Sequence, residues 1–301
     1  LLGAPLFAVI AASTLLAFAR TDVDLTVVPI EVYRLAEMPV LLAIPLFTFA
    51  GYLLAESRAP QRLVRITNAL LGWLPGGLAA VVLVVCALFT AFTGASGITI
   101  VALGALLYPA LIQAGYPERF SLGLITTSGS IGLLFAPSLP LILYGVVAQQ
   151  LNIGQPVSIG DLFIAGILPG ILIIALLAVW GLWQRRGHEI PQASFSAREA
   201  RAAVREAAWE LPLPVIVLGG IYSGFFAVSE AAAVTALYVL VVEVFIHREI
   251  RLADLPGVMR ESMVLVGAIL IVLGMSLAST NYLLDAEVPS QLFAYIREHV
   301  H

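Results

Sequence analysis

The sequence predicts an all-α polytopic membrane protein, a chain that crosses the bilayer several times as helices. Of its 301 residues, 60% are hydrophobic and 11% are charged, and the mean hydropathy is +1.01. Soluble domains carry roughly 25% charged residues. Long apolar stretches recur along most of the chain, and a helix of about 20 such residues crosses a hydrocarbon core of about 30 Å. These features exclude a water-soluble protein.

The N-terminal region predicts two spans followed by a surface helix. Residues 1–19 lack a basic start and a small-residue cleavage pattern, so they indicate a truncated first span rather than a signal peptide. A mixed-charge connector at residues 20–37 leads to a second span at residues 39–55. Residues 56–67 contain three arginines and have the pattern of an amphipathic helix at the membrane interface.

The first interrupted stretch covers residues 78–114, which contain no charged residue and no histidine. The small polar residues 93–97 divide it into two arms of about 15 residues, each short for a full span. A re-entrant hairpin and a pair of full spans would both return the chain to its starting side. The arm length and the polar tip favour the hairpin. Cys86, in the first arm, is interpreted as a small buried hydrophobe.

A second uncharged stretch covers residues 120–160 and is interrupted at residues 128–132 and again at residues 137–140. Proline removes a helix hydrogen bond and collides with the preceding turn. We therefore predict that this helix breaks between Gly132 and Pro137.

The remaining sequence predicts three further apolar segments and two polar connectors. The apolar segments are a span at residues 163–183, a pair of runs at residues 211–228 and 231–246, and a last span at residues 263–284, before a short amphipathic tail. The connectors lie at residues 184–210 and 247–261. Acidic and basic residues alternate over residues 198–210, which indicates a solvated or membrane-surface helix rather than a nucleic-acid site.

Two acidic residues lie near the ends of apolar runs. We interpret Ser229 as the N-cap of a helix whose first turn contains Glu230, because a carboxylate there complements the helix dipole. We interpret Glu243 as a snorkelling or paired residue, since Arg248 follows it closely in the chain.

The positions of the arginines predict the orientation of the chain in the membrane, because cytoplasmic loops are enriched in basic residues. All fifteen basic residues are arginine. With residues 58–65 inside, twelve arginines fall on the cytoplasmic side, including Arg119, Arg185 and Arg186. The arginine-free loop at residues 150–160 then lies outside.

The two interruptions predict a binding site. Backbone groups freed from helical pairing must lie within protein or line a watery cavity, and in secondary transporters such breaks hold substrate and Na⁺. Thr93 and Ser96 provide hydroxyl oxygens at the first break. At the second, we expect freed carbonyls around Gly132, Phe135 and Ala136. Neutral oxygens suit an alkali cation; the alternative is that the small residues serve only helix packing.

Several motifs closely resemble the large membrane subunit of TRAP transporters, the DctM type. They are FTGASG at residues 92–97, ALG at 102–104, GYPERF at 115–120, SGSIGLLFAPSLPLILYG at 128–145, LAIPLF at 42–47 and SEAAAV at 229–234. The matches extend over nearly the whole chain, and the motif at residues 128–145 is highly specific.

The resemblance implies a bacterial inner-membrane, Na⁺-coupled symporter for organic acids such as C4-dicarboxylates. It further implies an elevator fold of the ion-transporter superfamily, with a re-entrant hairpin and a broken helix, which functions with a small membrane subunit and a periplasmic substrate-binding protein. By resemblance the Na⁺ ligands are Thr93, Ser96, Gly132, Phe135 and Ala136, and the substrate contacts are Ser96, Gly97, Pro137 and Ser138.

The resemblance also implies a division of the chain. Residues 1–77 would form scaffold spans and an interfacial arm helix, and residues 78–150 the hairpin and broken helix of the transport domain. Residues 151–210 would form a connecting span and a cytoplasmic amphipathic helix, and residues 211–301 the beginning of a second, inverted repeat.

Two departures from the family pattern carry consequences. The first of two prolines usual after the second break is Ala136 here, which preserves a carbonyl but removes a rigid residue. Family subunits have two inverted repeats and well over 400 residues, whereas this chain stops within the second repeat. We therefore expect that the 301 residues are a fragment that does not transport alone.

Two alternatives come from other functional classes. One is a membrane scaffold without transport. The other is an intramembrane serine protease of the rhomboid type, since Gly94 to Gly97 match a G-x-S-G pattern. That chemistry requires a histidine base beside the serine, and the four histidines, at positions 188, 247, 299 and 301, lie in connectors or in the tail.

Overall fold

The structure, a computed structural model, describes residues 3–20, 24–74, 77–150, 157–184 and 195–299. All regular structure in these ranges is helical. The helices are α1 (Leu6–Arg20), α2 (Val27–Ala36), α3 (Ala43–Glu56), α4 (Ala59–Leu71), α5 (Gly77–Thr93), α6 (Ser96–Gln113), α7 (Glu118–Ile131), α8 (Leu139–Gln150), α9 (Ile159–Gln184), α10 (Ala197–Glu206), α11 (Pro212–Tyr222), α12 (Val228–Leu240), α13 (Leu255–Asp285) and α14 (Val288–His299). Short 3₁₀ helices cover Pro39–Leu42 and Gly132–Leu134, and a π-helical segment covers Val241–Ile246.

The predicted all-helical membrane protein is confirmed. Within the described residues, five helices are long and apolar enough to cross a membrane: Pro39–Glu56, Ser96–Gln113, Ile159–Gln184, Val228–Ile246 and Leu255–Asp285. A sixth span is formed if Glu118–Leu134 and Leu139–Gln149, which meet at an angle of 42°, are counted as one broken helix. α5 is also apolar, although it is shorter.

Both interruptions are present, but they are shorter than the sequence predicts. Only Gly94 and Ala95 separate α5 from α6, and the two arms have 17 and 18 residues rather than about 15. The expected interruption at residues 128–132 is wrong in its first part, because α7 continues through Ile131. Ser128 and Gly129 are buried in this helix, where close packing, discussed below, stabilises it.

Three other details differ from the sequence-based expectations. The last span begins at Leu255 rather than at residue 263, so the preceding connector is shorter. The N-cap of α12 is Ala227, not Ser229, and the Glu230 carboxylate accepts a hydrogen bond of 2.9 Å from the Ala227 backbone N–H. Residues 151–156 of the outer loop, Arg185, Arg186, His188 and His301 lie outside the described residues.

The described chain divides into two compact units. In the unit Leu42–Met263, α5 is central: it packs against α3, α4, α6, α7 and α9. Its apolar residues, including Cys86, are fully or almost fully buried on most of its surface, as expected for an uncharged helix surrounded by protein. α3 packs closely against α12 in the same unit.

The other unit consists of Leu1–Leu41 and Val264–His301. A small core forms around Phe18, Val28 and Ala278, and the Phe18 ring meets Tyr282 edge to face at 5.4 Å. Gly274 allows close approach of α2, because a Cβ at this position would lie 2.9 Å from a methyl carbon of Val32.

The amphipathic helix predicted near residues 56–67 is α4. Its apolar side chains are buried at helical spacing, with Leu63 and Ile66 packed in the core. α10 lies across α4 and contributes Ala203 and Ala207 to a cluster with Ile66. Ser196 caps α10 by accepting a hydrogen bond from the Glu199 backbone N–H. Part of α4 is therefore covered by α10 within the unit.

Candidate functional site at two helix breaks

The first break depends on Gly94. Its φ is +64°, a left-handed conformation that glycine adopts without strain. Its backbone N–H donates to the Thr90 carbonyl at 2.8 Å, which closes the last turn of α5. Ala95 is extended, and α6 begins at Ser96, so the chain reverses direction within two residues.

The second break is closed by a serine. After the 3₁₀ turn Gly132–Leu134, Phe135 is extended. The Ser138 hydroxyl donates to the Leu133 carbonyl and accepts a bond of 3.4 Å from the Leu141 backbone N–H, so it bridges the break and caps α8. The peptide bond between Ala136 and Pro137 is cis.

The expectation of freed carbonyls is correct for two of three residues. The Gly132 carbonyl is not free, because it accepts the Phe135 backbone N–H at 3.1 Å in the 3₁₀ turn. Among the described residues, no N–H donates to the carbonyls of Phe135 or Ala136. A carbonyl has two lone pairs, so Gly132 retains one for a further ligand.

The two breaks lie against each other. A Cβ on Gly132 would collide with the Ala87 carbonyl and with Thr90, so only glycine permits this approach of the broken helix to α5. A Cβ on Gly94 would collide with the side chain of Leu139, the first residue of α8. The hairpin tip and the broken helix therefore form one tightly packed centre.

A network of neutral oxygens lies beside these contacts. Thr90 Oγ1 is 2.8 Å from Thr99 Oγ1 and 2.8 Å from the Gly129 carbonyl oxygen. Thr93 Oγ1 is 3.3 Å from Thr99 Oγ1 and 3.5 Å from the Ala95 carbonyl oxygen. All three threonines are fully buried. Five oxygens thus share three hydroxyl protons, an electron-rich environment that suits a hard cation.

Thr93 is the one predicted side-chain ligand that the structure places in this network. Ser96 is half-buried at the start of α6, and its hydroxyl has no hydrogen-bond partner among the described residues. Gly97 is exposed and faces open space. Pro137 and Ser138 are buried in the second break, where the Ser138 hydroxyl already has two partners.

Sequence reasoning did not identify Thr90, Thr99 or the Gly129 carbonyl. A signal was present, because Thr90 and Thr93, like Ser96 and Thr99, are three residues apart and share a helix face. The Gly129 carbonyl gave no such signal, since its role depends on the packing of α7 against α5.

The far side of the second break is apolar. Gly166 and Gly170 of α9 make room for the Leu134 carbonyl and the Phe135 ring, respectively. Phe135 and Ala136 also line a cavity of about 100 Å³, together with Leu88, Ala91, Ile167, Pro214, Leu218 and Tyr222. The polar atoms of the site are therefore concentrated on the side of the threonines.

The structure provides no histidine base for Ser96 within the described residues. His247 lies beside Glu210, with 3.7 Å between its Nε2 and a carboxylate oxygen, and His299 stacks on Tyr295. His247, which lies in the same unit as Ser96, makes no contact with Ser96 among the interactions of the described residues, so it gives no support to the protease alternative.

Comparison with known proteins identifies the family. Residues 1–300 match the family described as the tripartite ATP-independent periplasmic transporter, DctM component. The C4-dicarboxylate TRAP transporter large permease protein DctM of Rhodobacter capsulatus is 37% identical over 254 residues, which are 81% of this chain and 58% of that protein.

Two further relatives carry other substrate names. The ectoine/5-hydroxyectoine TRAP transporter large permease protein UehC of Ruegeria pomeroyi is 35% identical over 257 residues, or 85% of this chain and 58% of that protein. The isethionate TRAP transporter permease protein DctMQ of Oleidesulfovibrio alaskensis is 34% identical over 254 residues, or 84% of this chain and 39% of that protein. The chain thus spans less than two thirds of the length of these relatives. The chain belongs to the DctM family of tripartite ATP-independent periplasmic transporter components.

Proposed function

We propose that this chain belongs to the membrane permease of a Na⁺-coupled TRAP symporter that imports an organic acid by an elevator mechanism. The observation that carries this proposal is the meeting of two helix breaks beside five neutral oxygens, within stretches of sequence that contain no charged residue. A site of this kind binds an alkali cation without a fixed counter-charge.

The polarity of the helix ends supports separate positions for cation and anion. α5 ends at the first break and the 3₁₀ turn ends at the second, so their carbonyl ends favour a cation. α6 and α8 begin at the same two breaks, and their N–H ends favour an anion. The contact of Gly94 with Leu139 brings these two N-termini together.

We therefore assign Na⁺ ligation and substrate contact to adjoining parts of the two breaks, with Ser96 shared between them. The proposed Na⁺ ligands are Thr93, Ser96, Gly132, Phe135 and Ala136, extended by Thr99, and the proposed substrate contacts are Ser96, Gly97, Pro137 and Ser138. Bound Na⁺ would supply the positive charge that the neutral site lacks. The hydroxyls of Thr90 and Thr99 would hold α5, α6 and α7 in the geometry that binds it.

The packing also supports an elevator motion. The glycine contacts pack the hairpin closely against the broken helix, and we propose that the two move as one body. A rigid transport unit of this kind would carry the bound ion and substrate across the membrane together. The hairpin is then re-entrant, as its tip has to reach the substrate rather than the opposite surface.

The relatives' names support a proposal for the substrate class, and the family description supports one for the partners. C4-dicarboxylate, ectoine and isethionate are the substrates in those names, and we propose an organic acid, a C4-dicarboxylate or a related carboxylate, for this chain. The proposed partners are a small membrane subunit and a periplasmic substrate-binding protein, and the proposed location is the bacterial inner membrane.

The test is the Na⁺ dependence of uptake in proteoliposomes that hold the complete transporter with its binding protein. A hydrogen bond or ligand to a charged group contributes roughly 1.5–3 kcal/mol. We therefore expect Thr93→Ala and Thr99→Val to raise the Na⁺ concentration for half-maximal uptake about tenfold or more. Na⁺-dependent thermal stabilisation of the same preparations should weaken in parallel.

Thr126→Val is the matched control. Thr126 is exposed, and within the described ranges its hydroxyl bonds only to carbonyls of its own helix, at 2.9 Å to Leu122 and 3.1 Å to Gly123. The Na⁺ dependence of the Thr126→Val transporter should therefore match that of the unmodified transporter. Unchanged Na⁺ dependence in Thr93→Ala and Thr99→Val would instead favour the membrane scaffold alternative, in which the breaks serve only helix packing.

A further inference from the structure

A buried ion cluster lies away from the helix breaks, around Arg62 of α4. Its guanidinium Nε is 2.5 Å from Glu210, its first terminal nitrogen is 2.6 Å from Glu249, and its second is 3.2 Å from Glu243. The Arg62 side chain is 5% exposed, and those of Glu210 and Glu243 are 3% and 0% exposed. The cluster joins α4, the turn after α10, the π-helical end of α12 and the connector that follows it.

The charges of this cluster do not balance. Three carboxylates share one guanidinium. Among the described residues, the second oxygen of Glu249 accepts a hydrogen bond from a single, neutral donor, the Arg58 backbone N–H at 2.7 Å. Burying an uncompensated charge is costly because the interior solvates ions poorly. A proton bound within the cluster would reduce this imbalance.

Two buried atoms of this cluster lack partners in the described part of the chain. Glu210 Oε2 and His247 Nε2 are inaccessible to solvent and make no hydrogen bond to any described residue. His247 Nε2 lies 3.7 Å from the other oxygen of Glu210, so a movement of less than about 1 Å would bring it to hydrogen-bond distance. One fifth of the His247 side chain is exposed, which gives protons a route from solvent.

We propose that Glu210 and His247 form a proton-binding site that completes this cluster. A proton from water binds the imidazole, and the resulting imidazolium donates its Nε2 hydrogen to the Glu210 carboxylate. The other titratable or charged groups facing this pair are Arg62 from α4, Tyr238 and Glu243 from α12, and Glu249 from the connector.

Two further members of the cluster, Glu249 and Arg62, are held in their charged forms. Burial raises the pKa of Glu249, but the Arg58 N–H and Arg62 outweigh it, so its pKa lies below the usual range. Burial lowers the pKa of Arg62. The hydrogen bond with Glu249 and the negative charges of Glu249, Glu210 and Glu243 outweigh burial, so the pKa of Arg62 is raised above its usual value. Both groups therefore stay charged, and neither exchanges the proton.

The bound proton would stabilise the contacts among the four segments that form the cluster: α4, the turn after α10, the π-helical segment and the connector that follows it. Loss of the proton leaves Glu210 repelled by Glu243 and Glu249 with a single guanidinium among them, which weakens the attachment of α4 to α12. Because the folded cluster binds the proton in this proposal, the stabilisation is present at low pH and is lost as the pH rises.

The test compares thermal unfolding of the complete permease in detergent at about pH 6 and about pH 8, on either side of the ordinary histidine pKa of about 6.5. We expect the midpoint of the unmodified protein to fall by roughly 2–4 °C over this interval. His247→Gln, which cannot gain a proton, should lose this fall. His299→Gln is the matched control, since His299 is exposed in the tail and should leave the fall unchanged.

A second measurement detects the proton directly in the unmodified protein, so the proposal can be tested even if a variant is too unstable for thermal unfolding. In the unmodified protein at about pH 6, ¹⁵N NMR should show a slowly exchanging Nε2–H signal that is absent from His247→Gln. Glu210→Gln, where it folds, should lose that signal's slow exchange. The proposal would be overturned if the unfolding midpoint of His247→Gln still fell between about pH 6 and about pH 8. A fall that is lost in Glu243→Gln but kept in His247→Gln would place the proton on Glu243 instead.

Discussion

Arg62 and Arg65 show how environment decides what an ion pair contributes. They lie three residues apart on α4, and each binds more than one carboxylate. Arg62 is buried, whereas the side chains of Arg65 and its partners Glu199 and Glu206 are about half exposed. Water and salt screen the exposed pairs and weaken their contribution to stability. In the buried cluster, water does not solvate a charge whose partner has been removed.

Arg62→Met should lower the free energy of unfolding by about 3–5 kcal/mol, because it leaves buried carboxylates without their cation. Arg65→Met, the matched control on the same helix, should change the stability within measurement error. Equilibrium unfolding of both variants in mixed micelles checks this difference. Similar losses in the two variants would show that the cluster is not the source of the stability.

The sequence indicated the nature of Glu243 but not its partner. The sequence analysis left two alternatives for Glu243, a snorkelling or a paired carboxylate. The structure shows a paired one, because the side chain is fully buried. Arg248 was expected as the partner because it is near in the chain, yet the partner is Arg62, 181 residues away. Contacts between distant segments depend on how helices pack, which a local pattern does not encode.

At the scale of elements, the sequence predicted that both helices break, and packing determined where. Glycine and serine at residues 128–130 weaken a helix in isolation. In the folded chain Gly129 instead permits close contact, since a Cβ there would lie 2.6 Å from Ile100. α7 therefore stays helical until Ile131, and the chain breaks where Ser138 can bond across the gap.

Gly132→Ala tests the contact between the two broken elements. The added methyl group collides with the Ala87 carbonyl and with Thr90, and we expect a loss of about 1–3 kcal/mol in stability, together with weaker Na⁺-dependent stabilisation. Gly123→Ala in the preceding helix, α7, has open space around it, so it should be neutral or slightly stabilising. Thermal unfolding of both variants, with and without Na⁺, checks this difference. Equal unfolding midpoints for Gly132→Ala and Gly123→Ala would contradict a tight contact at Gly132.

At the scale of the whole molecule, the uneven distribution of charge is the main guide to topology. Composition alone was sufficient to predict a helical protein with several spans, which the structure confirms. It was not sufficient to distinguish a re-entrant hairpin from two spans, because α6 is long enough to cross a membrane. The two topologies place the surrounding loops on the same sides, so arginine positions do not separate them.

The orientation can be tested with single cysteines in a Cys86→Ala background. Ser158 is exposed at the end of the arginine-free loop, and Ser196 is exposed at the start of α10 among arginines. We expect a membrane-impermeant maleimide to label Ser158→Cys from the periplasmic side and Ser196→Cys only after the membrane is opened. Labelling of both from one side would refute the predicted topology.

The ion cluster around Arg62 also has a consequence for how this sequence can vary over evolution. A substitution of Arg62 alone leaves three glutamates in the cluster without their cation. A substitution of one glutamate changes the net charge around the other two. Among related sequences, we expect the arginine and its glutamates to be gained and lost together. Arg65 and its partners are in contact with water, so we expect the residue at position 65 to vary independently of the glutamates.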